Sequence, residues 1–276
     1  CKVSIFADDT KLYFCFPKGS DASALMRDLL RVQSWVIEWQ LELSESKCSV
    51  LHIGASDPRR EYRLGNEILL MVLNQKDLGL HISSDLKFHF HIGNICRKAA
   101  SVSNLILWNF ISQDPRTLIR LFIVYVRPIL GYGSVIWNPV YATDIDKQES
   151  CQRQFTRRIL GDAYGSYSER LSVLGLDSLE LRRLCADLVF TYKIMHNLVK
   201  IEPRLLFERI GGVTRGHSLK IRPPLRLKAL GQHLLDFRVV KVWNSLPETV
   251  VSASTSNLFK TRLFDRKESL QRFLRY

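Results

Sequence analysis

The chain has 276 residues, of which 46% are hydrophobic and 24% are charged. This composition is typical of a globular protein, and it excludes collagen, low-complexity disorder and a small disulfide-stapled scaffold. Lysine and arginine outnumber aspartate and glutamate by 40 to 27, and residues 101–276 carry a net +12 against +1 for residues 1–100. The second part is therefore predicted to attract phosphate.

Three features of the sequence indicate what class of protein this is: its first residues, its cysteines and its most apolar stretch. Residue 1 is a cysteine and residues 3–6 already resemble a strand, which predicts a fragment of a longer reading frame. Six cysteines are scattered singly, without metal-ligand spacing or a secretory signal, and are interpreted as reduced core thiols. Residues 118–137 are apolar but contain Arg120, Arg127 and Pro128, so they predict a buried helix and turn and no membrane partner.

Residues 1–88 are predicted to form a small α/β region. Apolar runs at residues 3–6 and 10–16 flank Ala7-Asp8-Asp9 and predict a hairpin with acidic residues at its tip. A helix capped by Ser20 or Asp21 is expected next, with its apolar residues at helical spacing. Short strands are predicted at residues 48–53 and 78–83, and Gly65-Asn66 is a two-residue hairpin signal.

From His91 onward the apolar pattern has a helical period. The first helix has Ile92, Ala99 and Ile106 on one face, and Asp114-Pro115 predicts the start of the next. Further helices are predicted at about residues 143–160 and 178–199. The side chains expected in the core of this region include Leu118, Leu121, Phe122, Tyr125, Val126, Trp108, Trp137 and Trp243. His81, His89 and His91 are interpreted as structural or surface residues.

The adjacent carboxylates Asp8 and Asp9 are the first candidate for chemistry. Magnesium prefers such oxygen ligands and leaves room for phosphate oxygens, and paired metal ions stabilise phosphoryl displacement. That chemistry requires further carboxylates from elsewhere in the chain. The alternative is a solvated turn, because Ala-Asp-Asp by itself is a common turn sequence.

Beyond the acid pair, a series of motifs resembles one family. Phe6-Ala7-Asp8-Asp9-Thr10 resembles the third catalytic motif of reverse transcriptases encoded by non-LTR retrotransposons, more narrowly the jockey-like group. Trp35, Trp39 and Lys47-Cys48 resemble the next motif, and residues 76–83 and 85–88 resemble the primer-grip region. The resemblance continues through residues 126–133, 137–139, 154–158, 214–218 and 242–247, in the same order and spacing as in the family.

The resemblance implies a role for several residues. Asp8 is expected to bind the catalytic Mg²⁺ ions, with Asp9 as a weaker or supporting ligand. Lys47 lies where polymerases place a basic residue that protonates the departing pyrophosphate, the alternative being a solvated lysine. Residues 78–83 are expected to grip the primer end, the alternative being an ordinary strand. The implied partners are an RNA template, a DNA primer and deoxynucleotides, with the ribonucleoprotein in the nucleus and cytoplasm.

The resemblance also implies what the chain lacks. In the family, an upstream motif supplies another metal-binding aspartate, and the fingers that bind template and nucleotide precede it. The chain starts at the third motif. RNA-directed DNA polymerase activity is therefore the expected activity of the family, and this chain alone is predicted to be inactive.

The basic residues are arranged in clusters. One cluster, on the helix predicted at residues 143–160, contains Lys147, Arg153, Arg157 and Arg158. A second contains Arg215, Lys220 and Arg222. Arginine forks suit phosphate, so both are candidates for binding an RNA–DNA hybrid through its backbone, the alternative being a solvated charged face.

The fold class predicted from these observations is α+β. The resemblance implies the end of a polymerase palm, with a β-hairpin, a helix and a small antiparallel sheet, at residues 1–88. A helical thumb is expected at residues 89–135 and a basic, mostly helical region at residues 136–276. The oligomeric state is left open. A non-enzymatic nucleic-acid-binding remnant and an inert product of a degraded mobile element are the alternative functions.

Overall fold

The computed structural model describes residues 1–16, 23–54, 59–111, 114–161, 164–210, 216–223 and 234–275. The chain divides into two compact units, residues 1–86 and residues 87–276. The fold class is α+β, as predicted, with small sheets in the first unit and mostly helices in the second. The predicted cap at Ser20 or Asp21 lies outside the described residues, as does Arg215.

The first unit contains short strands and a helix. The strands are β1 (Lys2–Phe6), β2 (Asp9–Tyr13), β3 (Ser49–Leu51), β4 (Arg63–Leu64), β5 (Glu67–Ile68), β6 (Leu70–Val72), β7 (Asn74–Asp77) and β8 (Leu80–Ser83), and the helix is α1 (Ser23–Glu38). Three antiparallel pairs, β1–β2, β4–β5 and β7–β8, are hairpins. The fourth pair, β3–β6, is parallel. A small core forms where Tyr62, Leu64 and Leu69 pack against α1 and β3.

Turn chemistry accounts for the hairpins of this unit. The β1–β2 hairpin forms around Ala7-Asp8 as predicted, with Phe6 paired to Asp9. The predicted Gly65-Asn66 turn joins β4 to β5, and the φ of Gly65 is 60°, a conformation that glycine adopts without steric cost. The strand predicted at residues 78–83 begins only at Leu80. Leu78-Gly79 is the turn of the β7–β8 hairpin, with φ values of 45° and 85°.

The second unit is built from helices and one small hairpin. The helices are α2 (His89–Asn109), α3 (Pro115–Leu121), α4 (Arg127–Gly131), α5 (Ser134–Trp137), α6 (Ala142–Leu160), α7 (Tyr167–Leu174), α8 (Leu179–Met195), α9 (Leu235–Asn244), α10 (Glu248–Val251), α11 (Ser256–Phe264) and α12 (Lys267–Gln271). The hairpin pairs β9 (Glu208–Arg209) with β10 (Ile221–Arg222) in antiparallel register. None of the described helices is long and apolar enough to span a membrane.

Local signals fix several helix ends. Asp114 caps α3 by accepting hydrogen bonds from the backbone N–H groups of Arg116 and Thr117, and Pro115 occupies the first turn, where its missing N–H costs nothing. The last predicted helix, residues 178–199, is α8. Ser178 caps it, but it ends at Met195, four residues early.

A π-helical turn, Phe122–Val126, corrects one prediction about the core. Phe122 and Val126 are fully buried as predicted, whereas Tyr125 is exposed. The wider turn takes an extra residue per cycle, so it rotates Tyr125 out of the face that a regular helix would bury.

The main core of the second unit lies between α8 and the helices α9, α10 and α11. Tyr192 stacks on Phe259 with ring centroids 4.4 Å apart, and its hydroxyl donates to the carbonyl of Ala253 at 2.6 Å. Each large apolar side chain buried in this way contributes about 1.5–3 kcal/mol. Trp137 and Trp243 are buried as predicted, but Trp108 is 87% exposed because it lies off the buried face of α2, near its last residue.

The cysteines only partly fit the prediction of core thiols. All six are free thiols, and Cys96 and Cys185 are buried. Cys48 and Cys151 are half-buried, while Cys1 and Cys15 are exposed. Cys15 follows β2 and alternates with Phe14 and Phe16, which are the partly buried neighbours, so the alternation of that segment turns the thiol outward.

Candidate nucleic-acid interface

Helix α6 carries the first predicted basic cluster on its exposed side. Its buried face repeats at helical spacing and consists of Asp144, Ile145, Gln148, Glu149, Gln152, Phe155 and Thr156. Lys147, Arg157 and Arg158 are exposed and Arg153 is half-buried. Two pockets flank this helix, one towards α2 and one towards α7, and together they use all four basic residues.

The α2–α6 pocket has a volume of about 280 Å³ and brings Lys147 and Arg158 together with Arg97 of α2. The Nη1 of Arg158 donates to Oδ1 of Asn104 at 2.7 Å, which holds the guanidinium against α2. Lys147 lies across α2, since a Cβ at Gly93 would be 3.3 Å from its Nζ. Three cationic groups from two helices therefore line one opening.

The α6–α7 pocket has a volume of about 320 Å³ and is lined by Arg153, Gln154, Arg157, Gly165 and Arg170. The guanidinium groups of Arg153 and Arg170 lie 5.4 and 5.9 Å from the ring centroid of Tyr167. Such cation–π contacts orient arginine without neutralising its charge. The pocket therefore contains three arginines, two of which rest on the same aromatic ring.

Arg170 is the most constrained of these arginines. It is 94% buried, and its Nη1 donates to the carbonyls of Tyr164 and Gly165 at 3.1 and 3.0 Å. Its Nε is buried and has no hydrogen-bond partner within the part of the chain that the structure describes. A buried guanidinium donor without an acceptor is costly.

Buried polar contacts hold α7 against α6 and α8. The Tyr167 hydroxyl donates to Oε1 of Glu149 at 2.6 Å, and Gln152 donates to the same hydroxyl at 3.0 Å. Glu149 also accepts from the backbone N–H of Leu179, in the first turn of α8, at 3.0 and 3.1 Å. Burial, reinforced by the Glu149 charge, raises the pKa of Tyr167, so the hydroxyl remains a donor.

Arg127 belongs to residues 126–133, one of the motifs that resemble the family, and its side chain contributes to packing. It is buried, and its Nη2 donates to the carbonyl of Asp177 at 3.1 Å. Burial lowers the pKa of Arg127 to about 10, which leaves it charged at neutral pH. It supports the α6–α8 packing without lining either pocket.

Comparison with known proteins gives no family for this chain. No protein-family model matches it, and neither a curated protein nor a solved structure matches it. The chemistry of its sites therefore has to be inferred from their geometry.

The predicted catalytic residues lie in the first unit. Asp8 and Asp9 are exposed at the tip of the β1–β2 hairpin. Lys11, also on β2, forms an ion pair with Asp77, so this hairpin contacts the β7–β8 hairpin that contains the predicted primer-grip residues. Lys47 is exposed at the end of a 3-10 turn, Glu45–Lys47.

These residues do not make a magnesium centre by themselves. Among the described residues no group of three or more His, Cys, Asp or Glu side chains is placed to hold a metal ion. Two neighbouring carboxylates on an exposed turn leave most of an octahedral shell to water. Within the described part of the chain, Asp8 and Asp9 are therefore an exposed acidic pair at a hairpin tip.

The described members of the second predicted basic cluster, Lys220 and Arg222, do not line the pockets beside α6. Arg222 on β10 donates from its Nε to Oε2 of Glu208 on β9 at 2.8 Å, an exposed ion pair across the hairpin. Lys220 is half-buried beside this hairpin. Neither residue lines the α2–α6 or the α6–α7 pocket.

Sequence reasoning missed Arg97, Arg170 and Tyr167. Arg97-Lys98 was visible as a basic pair, but nothing in the sequence joined α2 to α6. Helix α7 was not predicted, although Ser166 and Glu169 form a capping box at its start. The spacing Ser-x-x-Glu before Arg170 was the signal that would have identified it.

Proposed function

We propose that this chain is the C-terminal part of a non-LTR retrotransposon reverse transcriptase of the jockey-like type, and that α6 binds the backbone of an RNA–DNA hybrid. In this proposal residues 1–88 are the end of the palm, residues 89–135 the thumb and residues 136–276 the basic C-terminal region. The ordered series of motifs supports the family. The basic pockets beside α6 support nucleic-acid binding.

One observation carries the binding proposal most directly: three arginines, Arg153, Arg157 and Arg170, line one pocket beside α6. Guanidinium groups bind phosphate oxygens through paired N–H donors. Phosphates of one strand passing over α6 would meet the α2–α6 pocket and the α6–α7 pocket in turn. Contacts of this kind provide affinity without sequence readout.

Binding of a fluorescent RNA–DNA hybrid to the full chain tests this role. Replacing Arg153 and Arg157 with glutamine is expected to weaken binding about tenfold or more at low salt. The slope of log affinity against log salt, measured between about 50 and 200 mM, should become less negative by roughly 1–2, because fewer counterions are released.

The matched control replaces Arg204 and Arg266 with glutamine. These arginines are exposed and lie outside both pockets, so the net charge falls equally. Equal losses in both double variants would reduce the effect to net charge and overturn a localised interface. The absence of binding at low salt by the unmodified chain would overturn the proposal itself.

The catalytic part of the proposal concerns Asp8 and Asp9. In a complete polymerase they would contribute ligands for Mg²⁺, and Lys47 would protonate pyrophosphate. In this chain alone we expect no template-dependent primer extension with magnesium, because no group of three or more His, Cys, Asp or Glu side chains among the described residues is placed to hold a metal ion. Extension that is lost on Asp8→Asn would contradict this expectation.

The second candidate is a nucleic-acid-binding protein without polymerase activity. Both pockets beside α6 lie within residues 87–276, so phosphate binding does not require the acid pair. A reverse transcriptase fragment should prefer a hybrid with a recessed primer end over duplex DNA of equal length. Equal affinity for the two substrates would favour the non-enzymatic candidate.

A further inference from the structure

Two cysteines meet between α2 and α6. The thiols of Cys96 and Cys151 each donate to the carbonyl of Lys147 at 3.7 Å, and the Cys151 thiol also lies 3.9 Å from the carbonyl of Cys96. The two thiols therefore share one acceptor, the carbonyl of Lys147. They are 55 positions apart in the chain, so the packing of the helices alone brings them together.

The pair lies at a pocket with a cationic lining, where Cys151 is half-buried and Cys96 is buried. Both cysteines line the α2–α6 pocket together with Arg97, Lys147 and Arg158. Neighbouring cations favour thiolate, the reactive form of cysteine. The neighbouring Cys96 thiol lowers the pKa of Cys151, whereas the Cys151 thiol and burial raise the pKa of Cys96. Cys151 is also the less buried of the two, so it is assigned as the nucleophile of the pair and Cys96 as the resolving thiol.

The remaining cysteines lack this arrangement. Cys185 is buried in the main core, and burial raises its pKa to about 11. Cys1, Cys15 and Cys48 belong to the first unit. Burial, followed by the charge of Glu45, raises the pKa of Cys48. A reagent that discriminates by thiolate character should thus react first with Cys151.

We propose that Cys96 and Cys151 are an oxidisable dithiol site, in which a peroxide converts the pair to a disulfide that joins α2 to α6. The Cys151 thiolate attacks one peroxide oxygen, the O–O bond breaks, and the departing oxygen leaves as water after protonation. The sulfenic acid so formed is attacked by Cys96. The S–S bond forms, the S–O bond breaks, and the second oxygen leaves as water.

The balance of the reaction is two thiols and one hydrogen peroxide giving one disulfide and two water molecules. Both electrons come from the thiols, so no other reductant is needed. The disulfide would form a wall of the α2–α6 pocket, and it would close a long loop of the chain. Closing such a loop restricts the unfolded state, so the oxidised second unit should melt at a higher temperature. This inference does not depend on nucleic-acid binding.

Peptide mapping after peroxide treatment tests the site on the full chain. Remaining thiols are blocked with N-ethylmaleimide, and the protein is digested with trypsin. Residues 88–97 and 148–153 should be recovered as one disulfide-linked species, which dithiothreitol separates. The melting temperature should rise by roughly 5–10 °C on oxidation and return on reduction.

The controls separate this pair from general oxidation. Cys151→Ser should abolish the linked species and the thermal shift, while Cys48→Ser, which removes a half-buried thiol of the first unit, should leave both unchanged. Recovery of both peptides with blocked thiols after peroxide treatment would overturn the proposal. Linkage of Cys151 to any other cysteine would also overturn it, and this readout on the unmodified chain holds even if a variant fails to fold.

Discussion

His217 shows how one residue of a predicted motif is used by the fold. It is buried, and its Nδ1 accepts a hydrogen bond from the backbone N–H of Leu219 at 3.2 Å. The ring proton must then lie on Nε2, which donates to the carbonyl of Trp243 at 2.9 Å. The neutral ring therefore satisfies both of its polar atoms. The hydrogen bond from His217 to Trp243 joins two of the motifs that resemble the reverse transcriptase family, residues 214–218 and 242–247.

This geometry predicts a pH dependence of stability. Burial lowers the pKa of His217 below its ordinary 6.5. The unfolded chain therefore takes up a proton at a higher pH than the folded chain does. The neutral His217 ring therefore makes its full contribution to the free energy of unfolding above pH 6.5. This contribution is lost as the pH falls from 6.5 through the lower pKa of His217 in the folded chain.

Urea unfolding across this pH range, followed by tryptophan fluorescence, measures the effect. His217→Gln should lower the free energy of unfolding by about 1–3 kcal/mol at neutral pH, because the N–H of Leu219 loses its acceptor. The difference between the variant and the unmodified chain should shrink below pH 6.5. A difference that is independent of pH would show that His217 is not buried in its neutral form.

At the scale of elements, Tyr167 is the contact on which the α6–α7 pocket depends. Its hydroxyl joins α7 to Glu149 of α6, which in turn binds the N-terminus of α8. Its ring supports Arg153 and Arg170. The two functions belong to different parts of one side chain, so substitutions can separate them.

Tyr167→Phe removes the hydroxyl and keeps the ring. It should lower the free energy of unfolding by about 1–2 kcal/mol, because a buried carboxylate loses a donor, and leave hybrid affinity within about twofold. Tyr167→Leu removes the ring as well and should weaken hybrid binding further, because both arginines lose their support. Equal hybrid affinity of the two variants, measured where both are folded, would contradict a role of the ring in the interface.

At the scale of the whole molecule, the two units differ in how much apolar surface they bury. On β1, Val3, Ile5 and Phe6 are exposed, and Ile5 is 70% exposed. Within the described residues β1 pairs only with β2, so its other edge offers free backbone groups. An apolar strand with an open edge is a site for pairing with another chain. The second unit instead buries several large aromatic side chains, among them Tyr192, Trp243 and Phe259, in the core around α8.

We therefore expect the full chain to associate with itself as its concentration rises. Ile5→Lys should reduce this association in light-scattering measurements, because a charge on an edge strand opposes strand pairing. Leu205→Lys, which replaces an equally exposed leucine of the second unit, is the matched control and should have little effect. A concentration-independent monomer mass for the unmodified chain would contradict this expectation.

Much of the local structure could be predicted from the sequence. The tip of the β1–β2 hairpin, the Gly65-Asn66 turn, the start of α3 at Asp114-Pro115 and the extent of α6 agree with the structure to within about a residue, whereas β2 ends at Tyr13, three residues before the predicted run does. These features depend on residues a few positions apart, whose turn and capping preferences act before any distant contact forms. The charged face of α6 could be predicted for the same reason, since helical spacing alone places its basic residues.

The tertiary structure decided which side chains of other helices join that face in the two pockets. Arg97 and Arg170 reach the pockets beside α6 only because α2 and α7 pack against it, and Cys96 meets Cys151 for the same reason. The exposure of Tyr125 and Trp108 also followed from packing and from a π-helical turn. By itself the sequence determined several of the helices and turns and the distribution of charge. Which helices meet depends on contacts between residues tens of positions apart, and no local pattern encodes those contacts.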